Sequence, residues 1–208
     1  MLKIKVCGLT DPVNVQEIAL ISPDYMGFIF YPGSSRYIGD KPADSLFRSV
    51  PSPIRKTGVF VNEKIQIIID SVKMFGLDLV QLHGNEQAEY CGYLKNEGLT
   101  IIKAFGINNL SDFTIPEPYM DVCDYFLFDT NTAGYGGSGN KFDWARINKY
   151  LLDKPFFLGG GIGPEDAPLI KQLKHPHLFA VDINSRFETM PGIKEPEKVK
   201  DFINEIKA

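Results

Sequence analysis

The chain has 208 residues, a net charge of −4 and 44% hydrophobic residues, a composition typical of a globular protein. This length suits one substantial core and is short for two, so we expect residues 1–208 to form a single domain. Acidic and basic residues are interspersed, and no apolar run approaches the ~18 residues of a membrane span. These features exclude a basic stripe for nucleic-acid binding and a membrane-spanning segment. We therefore expect the protein to bind neither nucleic acid nor a membrane.

The cysteines and histidines give no sign of a disulfide framework or a metal site. Cys7, Cys91 and Cys123 are odd in number and form no CxxC pair, which favours a reducing compartment, the cytoplasm. His175 and His177 flank a proline without an accompanying carboxylate or cysteine cluster. We interpret that segment as a connecting turn and expect no metal and no cofactor.

Eight short apolar segments, rich in Val, Ile, Leu and Phe and lacking strict alternation, are typical of strands buried on both faces. They are Lys3–Val6, Met26–Phe30, Lys56–Val61, Leu79–Leu82, Thr100–Ala104, Tyr125–Phe128, Pro155–Leu158 and Phe179–Ile183.

Helical patterns separate these strands. Asp11 is an N-cap, and Pro12 follows it at the first helical position. Gly76 can end the helix predicted at Lys64–Phe75. The predicted helices are Val13–Leu20, Lys64–Phe75, Glu86–Lys95, Phe142–Leu152, Pro164–Leu173 and Glu197–Ile206, with weaker signals at Pro42–Val50 and Ser111–Met120.

Alternation of strands and helices from end to end predicts parallel strands joined by right-handed crossovers. Eight such units favour the α/β class and a single (β/α)8 barrel, or TIM barrel, at the compact end of its size range. A doubly wound open sheet is the alternative. It would be expected to carry GxGxxG after the first strand, where this chain has Cys7-Gly8-Leu9-Thr10.

The most informative segment is Phe126–Gly139, in which a buried strand ends on Asp129 and a glycine-rich loop follows. The strands of a barrel all end on one face, and the chemistry of the fold lies there. A carboxylate that ends an apolar strand needs partners or a role, so Asp129 is a candidate acid; the alternative is a cap on the following loop.

Other polar residues follow the remaining strands. Cys7 is either a packed thiol or a reactive one. Arg36 is either a solvated cation or a bidentate partner for a carboxylate, and His83 serves either packing or a polar contact. Asp182 ends the eighth strand as a second carboxylate at the same mouth.

The loops after strands six, seven and eight are rich in glycine or serine, more than turns alone require. In this fold the loops after strands seven and eight usually bind phosphate through backbone N–H groups and a helix N-terminus. We therefore predict a phosphate site there, and its residues are Gly137, Ser138, Gly160, Gly161, Asn184, Ser185 and Arg186.

In chain order, the sequence contains motifs that resemble those of the phosphoribosylanthranilate isomerase family of tryptophan biosynthesis. They are Lys5-Val-Cys-Gly8, Gly27-Phe-Ile-Phe30, Ser34-Ser35-Arg36, Gly58-Val-Phe-Val61, Gln81-Leu-His-Gly84, Phe128-Asp-Thr130, Gly136-Gly-Ser-Gly139, Gly160-Gly161, Val181-Asp182 and Pro191-Gly-Ile-Lys194. The match covers nearly the whole chain, and the combination of KxCG with DT and GGxG is specific.

The resemblance implies an Amadori rearrangement of N-(5-phosphoribosyl)anthranilate, with Cys7 as general base, Asp129 as general acid and Arg36 facing the anthranilate carboxylate. His83 and Asp182 are then expected to bind substrate. The base would require nearby dipoles or cations to lower the pKa of Cys7. The chain departs from the family at Asn184-Ser185-Arg186, where Arg186 replaces a glycine near the phosphate.

Two rival functions remain. The analogous histidine-pathway isomerase shares the fold but carries an aspartate where this chain has Cys7. The other rival is a barrel that binds a phosphorylated ligand without turning it over. The candidate acid–base pair, Asp129 and Cys7, argues against this function. The expected partner is a phosphorylated small molecule, and the chain is expected to be a monomer or a homodimer.

Overall fold

The computed structural model describes residues 1–107, 113–130 and 141–208. Within them, eight parallel strands pair in sequence order and close into a barrel. The strands are β1 (Lys3–Cys7), β2 (Tyr25–Ile29), β3 (Arg55–Phe60), β4 (Leu79–Leu82), β5 (Ile101–Ile107), β6 (Tyr125–Thr130), β7 (Phe156–Leu158) and β8 (Leu178–Ile183). All eight predicted strands are present, with ends that differ by a few residues.

Pairing of the first strand with the last distinguishes a barrel from an open sheet. β1 pairs with β2 on one side and with β8 on the other, where Lys5 lies opposite Asp182. The predicted (β/α)8 barrel is therefore confirmed, and the open-sheet alternative is wrong.

Six α-helices surround the described barrel. They are α1 (Pro12–Leu20), α2 (Asp44–Arg48), α3 (Ile65–Phe75), α4 (Ala88–Asn96), α5 (Ala167–Gln172) and α6 (Pro196–Lys207). The sequence signals at two ends act as predicted: Asp11 accepts a hydrogen bond from the backbone N–H of Asn14, and Gly76 ends α3 in the left-handed conformation, with φ of 60°.

Two predicted helices are wrong in type or length. The segment predicted as Phe142–Leu152 forms a 3-10 helix at Trp144–Lys149, and Pro164–Leu173 divides into a 3-10 turn, Pro164–Asp166, followed by the six-residue α5. Asp143 caps the start of the 3-10 helix by accepting the backbone N–H of Ala145. Of the weak signal at 111–120, the described part holds the 3-10 turn Glu117–Tyr119, and residues 111–112 lie outside the described residues.

Side chains alternate between the interior of the barrel and the helices. The interior is filled by a cluster of Tyr25, Leu79, Ile102, Ala104, Leu127, Phe157 and Ala180. The opposite faces of the strands pack into a larger core that includes the helices. Both faces of the strands are thus buried, which explains why their sequences do not alternate between apolar and polar residues.

A short antiparallel hairpin after β8 was not predicted. It pairs β9 (Glu188–Met190) with β10 (Ile193–Lys194) across a turn at Pro191 and Gly192. Gly192 has a φ of 91°, which glycine adopts readily. The hairpin places two charged residues, Glu188 and Lys194, against the mouth of the barrel.

None of the described helices combines the length and the apolar character that crossing a bilayer requires.

Replacing Asp11 with alanine tests the cap on α1. The variant loses the side-chain acceptor for the N–H of Asn14, so we expect the free energy of unfolding to fall by about 0.5–2 kcal/mol. Urea denaturation measures the change. Asp201→Ala, at an exposed position within α6, is the control, and an equal loss in both variants would contradict the capping role.

Candidate active site

Cys7 ends β1 in a closely packed position at the mouth of the barrel. Its side chain is buried, with 4% of the residue exposed. A Cβ atom built on Gly27, the neighbour of Cys7 in β2, would lie 2.7 Å from the Cys7 sulfur. Position 27 therefore requires glycine, because any side chain would displace the thiol.

A buried ion pair lies one layer below Cys7. Lys5 precedes Cys7 by two residues, so both side chains point to the same face of β1. The Nζ atom of Lys5 donates to both carboxylate oxygens of Asp182, each at 2.9 Å, and the Lys5 side chain is fully buried. Burial lowers the pKa of Lys5, but Asp182 and Cys7 together more than offset this effect, so the pKa of Lys5 is raised. Lys5 is therefore a fixed cation beneath the thiol.

The predicted lowering of the pKa of Cys7 is wrong. Burial raises the pKa of Cys7, and the cations Lys5 and Lys194 reduce this effect without reversing it, while Asp182 adds to it. The thiol form of Cys7 is therefore favoured at neutral pH. The two lysines are the groups that favour its thiolate form.

Asp129 and His83 face each other across the mouth. The Oδ1 atom of Asp129 accepts the backbone N–H of Thr130 at 2.7 Å, while its Oδ2 atom lies 3.4 Å from His83 Nε2. Both side chains are 17% exposed, so each can reach solvent or a ligand. The hydrogen bond from the Thr130 N–H is the loop cap that was the alternative role for Asp129. It engages only Oδ1 and leaves Oδ2 directed into the site.

A second buried ion pair shapes the turn that carries His83. Lys103 donates to the carbonyl of Gly84 at 2.8 Å and to Glu86 at 3.1 Å. Glu86 in turn accepts the N–H groups of Gly84 and Asn62. The turn after β4 is therefore fixed by buried charges, which orients His83 toward the site.

Arg36 holds a carboxylate bidentately, and that carboxylate belongs to the protein. Its Nε and Nη2 atoms donate to Glu188 at 2.8 and 2.7 Å. Glu188 also accepts from Lys194 Nζ at 2.5 Å, and Lys194 donates to Asn184 Oδ1 at 2.6 Å. Burial opposes the charge of Glu188, but the two cations hold its pKa below the usual range. Burial lowers the pKa of Lys194 to about 8.

The contacts of Gly8 bring this network next to Cys7. A Cβ atom on Gly8 would lie 2.7 Å from Arg36 Cδ and 2.7 Å from Asn184 Oδ1. Gly8 also has a φ of 79°, which an L side chain rarely adopts. The two predicted site residues Arg36 and Asn184 therefore both pack against Gly8, the residue that follows Cys7.

The loops after β7 and β8 form the other side of the site. Gly160 has a φ of 90°, and a Cβ there would lie 2.5 Å from Thr130 Oγ1 and 3.2 Å from Asp129 Oδ1. Gly161 also has a positive φ, 67°, and Ser185 begins a 3-10 turn, Ser185–Phe187. Gly137 and Ser138 lie outside the described residues.

The N-terminal helix end expected after Gly161 is weaker than predicted. A 3-10 turn begins at Pro164, and the N–H of Gly163 already donates to Asp166 at 2.6 Å. Arg186 pairs with Glu165 at 2.7 Å, and both side chains are about half exposed. An ion pair this exposed contributes little to the free energy of unfolding, so either side chain can readily exchange its partner.

Four charged residues of the site were missed by sequence reasoning as functional groups: Lys5, Lys103, Glu188 and Lys194. The spacing of Lys5 and Cys7 at i and i+2 was the available signal for the first. The Pro191-Gly192 dipeptide was the signal for the hairpin that carries the last two. Among the residues that the structure describes, no group of three or more His, Cys, Asp or Glu side chains is arranged to hold a metal ion.

The fold and the site together define a (β/α)8 barrel with a thiol and a carboxyl group at the mouth. The chain belongs to the phosphoribosylanthranilate isomerase family, because the family model N-(5'phosphoribosyl)anthranilate (PRA) isomerase matches residues 4–205. The family resemblance inferred from the motifs is confirmed.

Relatives are similar over nearly their whole length. The N-(5'-phosphoribosyl)anthranilate isomerase of Parabacteroides distasonis is 43% identical over 205 residues, covering 98% of this chain and 92% of that protein. The enzyme of that name from Phocaeicola vulgatus is 44% identical over 204 residues, covering 98% and 97%.

Solved structures agree. Phosphoribosyl anthranilate isomerase from Thermotoga maritima superposes with a TM-score of 0.87 at 35% identity, over 100% of this chain and 99% of that one. A phosphoribosyl anthranilate isomerase in complex with reduced 1-(o-carboxyphenylamino)-1-deoxyribulose 5-phosphate has a TM-score of 0.84 at 32% identity, with the same coverage.

Replacing Lys5 with methionine tests the buried ion pair. The variant keeps the length of the side chain but leaves the Asp182 carboxylate without its partner, so we expect the free energy of unfolding to fall by about 3–5 kcal/mol. Urea denaturation at neutral pH measures it.

Lys3→Met is the matched control, on the same strand. Lys3 pairs with Asp24, but its side chain is 46% exposed, so the loss should be at most about 1 kcal/mol. Similar losses in the two variants would contradict the structural importance of the Lys5–Asp182 pair.

Proposed function

We propose that this protein catalyses the Amadori rearrangement of N-(5-phospho-D-ribosyl)anthranilate to 1-(2-carboxyphenylamino)-1-deoxy-D-ribulose 5-phosphate in tryptophan biosynthesis. The observation that carries the proposal is the placement of Cys7 and Asp129 at one barrel mouth in a chain of this family. The reaction is an aldose–ketose isomerisation and needs one acid and one base near the sugar. It consumes no redox cofactor.

Asp129 acts first, as the general acid. Its Oδ2 atom, left open when Oδ1 accepts the Thr130 N–H, donates a proton to the ribose ring oxygen. The C1′–O bond breaks while the anthranilate nitrogen shares its lone pair with C1′, so the ring opens to a protonated imine. Asp129 must therefore carry a proton when substrate binds.

Cys7 acts second, as the general base. It removes the C2′ proton of the protonated imine, the electrons of the C2′–H bond form the C1′–C2′ double bond, and the π electrons of the C1′–N double bond return to nitrogen. The resulting enolamine takes up a proton at C1′ as its C2′ hydroxyl loses one, which gives the ketone. Since burial favours the thiol form of Cys7, the thiolate depends on Lys5 and Lys194. Both lysine side chains are fully buried, so water does not screen their charge.

Substrate recognition falls to Arg36, His83 and Asp182. Glu188 occupies the Nε and Nη2 atoms of Arg36, so the anthranilate carboxylate would bind through the Nη1 side. His83 and Asp182 would contact the sugar from opposite sides of the mouth, since they follow β4 and end β8. Asp182 would do so while paired with Lys5.

The phosphate would bind where the loops after β6, β7 and β8 converge, at Gly137, Ser138, Gly160, Gly161, Asn184, Ser185 and Arg186. Gly160 and Gly161 both have positive φ and no side chain, so the backbone of this turn would be open to close approach by the phosphate. Arg186 would exchange Glu165 for the phosphate, a small cost because that pair is exposed.

Residues 1–208 would act as one catalytic domain, either as a monomer or as a homodimer, in the cytoplasm. The three cysteines are buried and free, which fits a reducing compartment. Cys7 at the end of β1 disfavours the histidine-pathway isomerase, one of the two rival functions. An assay with phosphoribosylanthranilate and with the histidine-pathway substrate distinguishes the two isomerases.

Asp129→Asn tests the general acid. The amide has nearly the same shape but cannot protonate the ring oxygen, so we expect kcat to fall by about 10²–10⁴-fold while ligand binding is retained. Steady-state kinetics with phosphoribosylanthranilate and the affinity for a product analogue are the measurements. A kcat within about threefold of the wild type would show that Asp129 is not the acid.

Cys7→Ser tests the general base. Serine is close in shape to cysteine, but its hydroxyl does not ionise near neutral pH, so we expect normal folding and a loss in kcat of about 10²-fold or more. If Cys7 only packs, the variant should instead lose a little stability and keep its activity. Melting temperature and kcat measured on one preparation distinguish the two roles.

A further inference from the structure

Gln81 is a buried polar residue inside the barrel whose amide contacts the ring of His83. It lies on β4, is 1% exposed, and precedes His83 by two residues on the same face of the strand. Its Nε2 atom lies 2.9 Å from His83 Nδ1. In the described part of the chain its Oε1 atom is buried without a hydrogen-bond partner.

The orientation of this amide decides which nitrogen of His83 carries hydrogen. An amide NH2 group only donates, so His83 Nδ1 must accept and the ring hydrogen must be on Nε2. In the opposite orientation the amide oxygen would accept from an Nδ1–H group, and Nε2 of His83 would carry no hydrogen. The orientation in the structure, with Gln81 Nε2 toward His83, is the one that leaves the ring hydrogen on the side of Asp129.

The Nε2 atom of His83 is then the protonated ring nitrogen, and it lies beside the proposed acid. His83 Nε2 lies 3.4 Å from Asp129 Oδ2, the oxygen that the Thr130 N–H leaves open. Contacts of this kind are often long in a ligand-free site and shorten when substrate binds. A donor at this position stabilises the carboxylate more than the carboxylic acid, so it acts as the proton leaves.

We propose that Gln81 is a positioning residue, which holds His83 in the neutral Nε2–H form so that His83 donates to Asp129 as that carboxyl group gives up its proton. The proposal rests on the role of Asp129 under the proposed function. The chain of contacts is linear: Gln81 fixes His83, and His83 supports Asp129.

The charged surroundings make a neutral donor suitable. Asp182, at the end of β8, acts electrostatically on both Asp129 and His83, and it is itself paired with Lys5 of β1. Stabilising the developing carboxylate with a neutral imidazole adds no further net charge to this site.

Nitrogen-15 NMR of the histidine rings tests the proposal without substrate. The chain has three histidines, and His83→Asn assigns the His83 signals. In mildly alkaline buffer we expect wild-type His83 to show an unprotonated Nδ1 and a protonated Nε2. Gln81→Leu should give a mixture of the two neutral forms, and Gln81→Glu, which offers acceptor oxygens, should move the hydrogen to Nδ1.

Thr57→Val is the matched control. Thr57 lies on β3 inside the barrel, is fully buried, and its hydroxyl likewise has no hydrogen-bond partner in the described residues. The substitution alters the same interior region without affecting the imidazole. His83 should keep its Nε2–H form in this variant.

Kinetics supply the second readout. Gln81→Leu should lower kcat about threefold to tenfold, the effect of one hydrogen bond, with KM within about twofold of the wild type. Thr57→Val should leave both parameters unchanged. A wild-type His83 in the Nδ1–H or doubly protonated form would overturn the proposal, and so would a Gln81→Leu enzyme with the tautomer and kcat of Thr57→Val.

The two readouts separate this inference from the proposed function. If the wild type does not turn over phosphoribosylanthranilate, the proposed function fails, whereas the NMR result on the Gln81–His83 pair stands. If turnover is normal but His83 carries hydrogen on Nδ1, the inference fails and the isomerase assignment stands.

Discussion

The buried ion pair between Lys5 and Asp182 is the interaction on which the rest of the site depends. It joins β1 to β8, which are 177 residues apart at this pair, and so links the ends of the sheet where the barrel closes. The same two side chains supply the cation beneath Cys7 and a carboxylate that acts electrostatically on Asp129. A pair desolvated to this degree is stable only with good geometry on both partners. Catalytic geometry and barrel closure are therefore one structural requirement.

Local sequence was enough to predict the strands, the class of fold and the ends of two helices. The apolar segments that became β1 to β8 are buried on both faces, so their composition alone identified them. Asp11 and Gly76 act through contacts within a few residues, which is why their roles could be inferred without a structure. Cys7 and Asp129 were found because parallel strands in a barrel end on the same face.

The features that sequence did not predict depend on partners distant in the chain. Arg36 was expected to meet a ligand carboxylate, but Glu188, 152 residues away, occupies its bidentate face. The pKa of Cys7 depends on how completely the fold excludes water, a quantity that has no local signature. The segment at Trp144–Lys149 has the apolar spacing of an α-helix, yet it forms a 3-10 helix. Each of these outcomes is a competition between contacts that only the folded chain can decide.

The contact between Arg36 and Glu188 also determines how the guanidinium meets a ligand. A free arginine side chain gives up about 2 kcal/mol of rotamer entropy when it is fixed. Here Glu188 already fixes the side chain, and Lys194 balances the carboxylate, so this ordering is complete before any ligand arrives. The hairpin of β9 and β10 thus preorganises Arg36. The rotamer entropy of this side chain is lost when the protein folds and not when a ligand binds. If Arg36 binds the substrate carboxylate as proposed, loosening that hairpin would weaken this binding without removing a single atom that touches the ligand.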